Sequence, residues 1–110
     1  EKFKMSEQVA NNILESVEFD DDGYMVDPNA WNAEIGEAIA TDLGITLNDR
    51  HWVVINFARK EFEDNGEPPT LRRITKRTDV NTKELYQLFP GGAAKTAAKI
   101  SGLGKPTGCI

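Results

Sequence analysis

The chain contains one cysteine, Cys109, and it is the penultimate residue. The thiolate, not the thiol, is the nucleophile of cysteine, so what a lone cysteine can do depends on where the chain carries it. It stands in the stretch Leu103 to Ile110, which reads Leu-Gly-Lys-Pro-Thr-Gly-Cys-Ile. Gly104, Pro106 and Gly108 alternate there, a pattern that neither a helix nor a central strand tolerates. At about 3.3 Å per residue, such a stretch extends roughly 26 Å from the last packed turn. A thiol at that tip reaches into another protein's active site. The alternative is a frayed terminus that ends in an inert cysteine.

A free thiol titrates near pH 8.5 and is only a few per cent thiolate at neutral pH. The neighbouring Ile110 carboxylate raises that value, and Lys105 lies too far along an extended arm to offset it. Activation is therefore expected from a partner's site, or from Lys95 and Lys99 when the arm folds back. Gly108 leaves room beside the sulfur for a close-fitting tunnel. Pro106 lowers the entropy lost when the arm inserts.

Other chemistry-bearing residues are few. The chain has one histidine, His51, and no spacing of carboxylates completes a zinc site around it and Cys109. A surface or half-buried structural histidine is expected. Asp20-Asp21-Asp22-Gly23 has the opening of a calcium loop but lacks the remaining ligand positions and the terminal Glu, so it reads as a turn. No metal or cofactor is implied. Charge is divided unevenly: residues 1–67 hold 16 Asp and Glu against 5 Lys and Arg, residues 68–110 hold 8 Lys and Arg against 2 acids. Arg72, Lys76, Lys95, Lys99 and Lys105 thus form a basic C-terminal portion suited to an acidic partner, unless the halves neutralise one another in the fold.

The elements that must position these groups follow from spacing and caps. Residues 1–14 are expected to be a flexible N-terminus, 15–102 a hairpin and helical body, and 103–110 the arm, all in one domain over 1–110. Ile13, Val17 and Phe19 with Tyr24-Met25-Val26 predict a small β-hairpin around the aspartate turn. Asp27-Pro28 starts a helix whose apolar residues Trp31, Ile35, Ala38, Ile39 and Leu43 share a face, and Gly44 ends it. A second helix starts at Thr46 with Asp49 three residues on, places Trp52, Ile55, Ala58 and Phe62 on one face, and stops at Gly66 and Pro68-Pro69. Thr70 caps a short basic third helix and Asn81 a fourth, which ends at Pro90-Gly91-Gly92. The last helix has a close-packing face of Ala93, Ala94, Ala97 and Ala98. The fold class is mainly α, a small N-terminal hairpin plus a bundle of about five helices with a projecting C-terminal arm.

Two short helices joined by a turn, the first strongly basic, also have the form of a DNA-binding helix-turn-helix. The overall acidity opposes phosphate approach, and the second helix offers few side chains to read bases, so nucleic acid is not the expected partner. No apolar run approaches the roughly 18 residues of a membrane span, no signal peptide opens the chain, and a single cysteine excludes an internal disulfide. A cytoplasmic location is expected.

The stretch Leu88-Phe89-Pro90-Gly91-Gly92-Ala93-Ala94-Lys95, followed by Ala98-Lys99-Ile100-Ser101-Gly102-Leu103 and Lys105-Pro106-Thr107-Gly108-Cys109-Ile110, closely resembles the C-terminal signature of the DsrC/TusE family. The likeness extends back through Pro69, Arg72 and Lys76, Asp49-Arg50-His51-Trp52, Trp31 and Asp22-Gly23-Tyr24, covering roughly residues 15–110. The resemblance implies a small sulfur-carrier protein in which Cys109 holds sulfur as a persulfide and passes it to a partner. Sulfur-donor and sulfur-acceptor proteins, or a sulfite reductase-type complex, are the partners it implies. Arg72, Lys76, Lys95, Lys99, Lys105, Pro106 and Gly108 are candidate partner-binding residues. Two positions depart from the pattern. Members serving dissimilatory sulfite reductase usually carry a second cysteine where this chain has Ala98, so a cycle through an internal disulfide or trisulfide is closed to it. A single cysteine is the pattern of the tRNA-thiolation type or of a regulatory relative. Gly104 stands where many members have proline, which loosens the arm.

Overall fold

The computed structural model describes residues 6–104, and Lys105, Pro106, Gly108 and Cys109 lie outside that range. Six α-helices follow one another: α1 (Glu7–Leu14), α2 (Ala33–Asp42), α3 (Asp49–Asn65), α4 (Leu71–Arg77), α5 (Thr82–Leu88) and α6 (Ala93–Ile100). A 3-10 turn at Pro28–Ala30 precedes α2.

Within the segment expected to be flexible, residues 7–14 form α1. Ser6 caps it by accepting from the Val9 N–H at 3.2 Å, and Ala10 is buried against Ala38 of α2. Asn11 and Asn12, which weaken a helix by propensity, face solvent and cost little there. Ile13, expected to begin a strand, is instead part of this helix and packs on the core.

The predicted β-hairpin is not formed; only a single bridge, Phe19 to Met25, joins its arms. The Asp20 N–H donates to the Tyr24 carbonyl at 2.8 Å, but the return bond from the Tyr24 N–H goes to the Asp20 carboxylate at 3.0 Å. That carboxylate also takes the Asp22 N–H at 2.9 Å, so a side chain replaces the ladder. Pairing ends past Val26, where Asp27 and Pro28 turn the chain into the 3-10 turn and proline has no N–H to offer.

The helix expected from Pro28 to Leu43 is divided. Asp27 caps the 3-10 turn through the Asn29 N–H at 3.0 Å, Trp31 is extended, and Asn32 caps α2 through the Ile35 N–H at 2.9 Å. Gly44, at φ +80°, closes α2 as expected. The start of α3 is also corrected from Thr46 to Asn48. Its side chain accepts from the N–H groups of Arg50 at 2.8 Å and His51 at 3.2 Å, while His51 Nδ1 accepts from the Asn48 N–H at 3.1 Å. An imidazole thus completes a capping box usually closed by Glu or Gln. Thr70 and Asn81 cap α4 and α5 as predicted.

The main core gathers Ile35, Ile39, Val54, Ile55, Ile74, Val80, Leu85, Phe89 and Ile100, joining five helices and the segment between α4 and α5. Its alanines let α6 lie close against α2 and α3. Among the described residues, ion pairs between the two charge halves include Arg50 with Asp79 and Glu84, and Arg73 with the buried Glu61.

Candidate functional site

The described chain ends where the cysteine-bearing segment begins, so the body's contribution to a site is the end of α6. A helix leaves its last four carbonyls without partners inside the helix. Here each one has a donor. The Leu103 N–H donates to Ala98 at 2.9 Å and the Gly102 N–H to Lys99 at 3.1 Å, the pair of bonds that defines a Schellman ending. The Trp31 indole N–H donates to the Ile100 carbonyl at 2.8 Å. Arg59 Nη1 donates to the Ser101 carbonyl at 2.8 Å, and its Nη2 reaches the Pro28 carbonyl at 3.2 Å.

Gly102 allows this arrangement in two ways. Its φ of +73° is the left-handed value the ending requires, and a side chain there would stand 2.2 Å from Cδ1 of Trp31. Gly36 of α2 makes the same allowance on the other side, since a Cβ there would lie 2.8 Å from the indole. The Arg59 guanidinium stacks over the Trp31 ring at 4.4 Å. Burial lowers the Arg59 pKa from its ordinary value, with Glu63 acting in the opposite direction.

Leu103, which the sequence places in the arm, is instead fully buried with Tyr24, Ala58 and Ala98, and Phe62 packs against them. Gly104 is the last described residue. The Ser101 hydroxyl is buried without a hydrogen-bond partner among the described residues. Asn29, Arg59, Lys60, Phe62 and Glu63 line a shallow groove beside this point.

Lys99 leans across the Tyr24 ring, with Nζ 5.4 Å from its centre, and passes close to Gly23. The Tyr24 phenol titrates higher than usual, chiefly because it is buried and further because Asp22 and Asp20 are near. Lys95 is exposed one turn earlier on α6, whereas Arg72 and Lys76 are exposed on α4. Arg72 and Lys76 thus stand on α4, and Lys95 and Lys99 on α6.

His51 is more buried than expected, at 5% exposure, and is a structural residue. Its Nε2 lies 2.9 Å from the Leu88 carbonyl and its ring meets Phe89 edge-on. Nδ1 accepts from Asn48, so the proton resides on Nε2. Burial lowers its pKa, only partly offset by the Leu88 bond.

Arg59 is the residue that sequence reasoning passed over. Its partners are two carbonyls, 42 and 31 positions away, which no side-chain type announces.

A family model described as DsrC like protein matches residues 11–110. This chain belongs to the DsrC-like family. Sulfurtransferase TusE of Pectobacterium atrosepticum is 37% identical over 98 residues, covering 83% of this chain and 90% of that one. The gamma subunit of dissimilatory-type sulfite reductase from Nitratidesulfovibrio vulgaris is 38% identical over 96 residues, covering 86% and 91%. The solution structure of DsrC from Allochromatium vinosum superposes with a TM-score of 0.75 at 36% identity, covering 86% of this chain and 90% of that one. The helical body described above is therefore the DsrC fold. Among the described residues no helix is long and apolar enough to cross a membrane.

Proposed function

We propose that this DsrC-like chain is a sulfur carrier whose Cys109 accepts a sulfane sulfur and hands it to an acceptor protein. The observation that carries this reading is the joint one of a single, penultimate cysteine and strong similarity to proteins named for sulfur transfer and sulfite reduction. The Cys109 thiolate attacks the outer sulfur of a donor persulfide. A new S–S bond forms on Cys109, the donor's S–S bond breaks, and the donor leaves as a thiolate; the exchange is redox-neutral. A nucleophile on the acceptor then removes the carried sulfur and regenerates the Cys109 thiolate. The compartment that goes with this chemistry is the cytoplasm, where thiols are kept reduced.

Leu103 and Gly104 mark where the carrier segment leaves the body. Cys109 is five Cα-to-Cα steps beyond Gly104, so covalent geometry bounds the reach of the sulfur to about 17 Å from that point plus its side chain. Lys105, Pro106 and Gly108 are assigned to the partner's channel. Arg72, Lys76, Lys95 and Lys99 are assigned to its surface. Arg72 and Lys76 belong to α4, and Lys95 and Lys99 to α6.

A second reading makes the protein the small subunit of a sulfite reductase-type complex, and the Nitratidesulfovibrio relative favours it. Ala98 argues for the relay. It is buried against Leu103 and Tyr24, and with one cysteine in the chain no internal sulfur bridge can form. The helix-turn-helix alternative finds no support in the names of these relatives.

Intact-mass spectrometry tests the proposal. Incubation with glutathione persulfide should add about 32 Da per sulfur atom to the wild type and nothing to Cys109→Ser. An unmodified wild type, under conditions that sulfurate a control thiol protein, overturns it.

A further inference from the structure

The four terminal carbonyls of α6 are satisfied in two different ways. Ala98 and Lys99 are closed locally by the backbone, a device that any helix ending in glycine uses. Ile100 and Ser101 are closed by side chains from elsewhere, Trp31 ahead of α2 and Arg59 in the middle of α3. Those two side chains also stack on one another, and Arg59 ties the same unit to the Pro28 carbonyl. Both residues are fully buried, so these carbonyls need donors from the protein. Two glycines, Gly36 and Gly102, are held free of side chains so that the indole can lie between them. Arg59 gives up hydration to do this, as its lowered pKa indicates.

We propose that Arg59 and Trp31 are positioning residues for sulfur transfer: by clamping the Ile100 and Ser101 carbonyls they set the point and direction in which the chain leaves the body toward Cys109. The proposal rests on the carrier reading given above. Gly104 follows the clamp by three residues and has no side chain of its own to hold a direction. Among the described residues, what can aim the segment therefore acts at or before Leu103. Leu103 supplies depth, through Tyr24, Ala58 and Phe62, and the clamp supplies orientation. Charge alone does not suffice for this role. The guanidinium uses two nitrogens on two carbonyls while its central carbon lies over the indole, a combination that lysine lacks.

The test uses the full chain with Arg59→Lys, Arg59→Gln and Trp31→Phe, the last retaining an aromatic ring but no N–H. A nitroxide attached to Cys109, the only cysteine, broadens the amide signals of body residues that it visits. Separately, rates of sulfur uptake are compared for a protein donor, a rhodanese carrying a persulfide, and for glutathione persulfide. The clamp predicts a changed broadening pattern in Arg59→Gln and Trp31→Phe, with partial change in Arg59→Lys. It also predicts about a tenfold lower rate from the protein donor, with the glutathione persulfide rate within about twofold of wild type.

A merely structural role would lower both rates together or neither. Unchanged broadening in all three variants overturns the proposal, as does an altered pattern with an unaltered protein-donor rate. If the wild type takes up sulfur from neither donor, the carrier reading fails instead, and the broadening pattern alone still decides whether the clamp aims the segment. Should one variant fail to fold, the other two carry the test.

Discussion

Replacing Gly102 by alanine puts a methyl group where the Trp31 ring now lies. The new Cβ would stand 2.2, 2.5 and 2.7 Å from Cδ1, Cγ and Cβ of that residue, closer than real contacts allow, so the indole must move. Three costs accumulate. A left-handed backbone at a non-glycine residue costs about 1–2 kcal/mol. Forcing a methyl into filled space costs about 1–3 kcal/mol. Loss of the indole bond to Ile100 adds about 1 kcal/mol. The sum is about 4 kcal/mol. For a chain of 110 residues, an unfolding entropy of about 2.1 cal/mol/K per residue turns this into a drop of about 17 °C in Tm. Gly44→Ala is the control, because Gly44 has φ +80° but nothing within 4 Å of a new Cβ. It should lose only the backbone part, about 1–2 kcal/mol or about 4–9 °C. Thermal unfolding followed by circular dichroism at 222 nm measures both. Equal losses in the two variants would refute the packing of Trp31 on Gly102. Gly36→Ala extends the test: alanine gains about 1 kcal/mol of helix propensity there, yet its methyl meets the indole at 2.8 Å, so Tm should fall rather than rise.

Three further outcomes are expected. His51 has a pKa below its ordinary value in the folded protein, so the unfolded chain takes up a proton first as pH falls. Stability is therefore lost progressively below about pH 6.5, down to the folded pKa; urea midpoints at pH 7.5 and 5.5 should differ more in the wild type than in His51→Gln, which retains a capping side chain. Arg73→Met leaves the Glu61 carboxylate buried without its partner and should cost about 1–3 kcal/mol in urea unfolding, whereas Arg72→Met, on the exposed face of the same helix, should change stability by less than about 0.5 kcal/mol. Mild oxidation should give a disulfide-linked dimer on a non-reducing gel and no compact internally bridged monomer, since Cys109 is the only thiol; Cys109→Ser should remain monomeric.

Local signals were readable from residues close in sequence. Gly44, Gly66, Thr70 and Asn81 mark helix ends because caps are made within a few positions. The misreadings share a different cause. Asn11-Asn12 argue against a helix, but burial of Ala10 on Ala38 is a tertiary contact that outweighs propensity. The aspartate turn was visible, yet nothing in its composition says that the Asp20 carboxylate will take the Tyr24 N–H and prevent a ladder. Thr46 with Asp49 reads as the start of α3, but Asn48 caps it, and the imidazole three residues beyond Asn48 closes the capping box. The spacing places Trp31 on the apolar face of a helix, but it is extended ahead of α2, and its bond partner is a backbone carbonyl 69 positions away. Cys109, to which the carrier proposal assigns the sulfur, was the most legible feature, because a lone cysteine requires no packing to recognise.

The most direct test of the carrier account is a single-turnover relay. The protein is loaded on Cys109 with radioactive sulfane sulfur, freed of donor, and mixed with a purified acceptor that has one reactive cysteine. The account predicts that label appears on the acceptor as a reducible persulfide in step with its loss from the chain, and that Cys109→Ser never acquires label. Label that stays on Cys109 while the acceptor's thiol remains reactive, or that is discharged only as free sulfide, would contradict it.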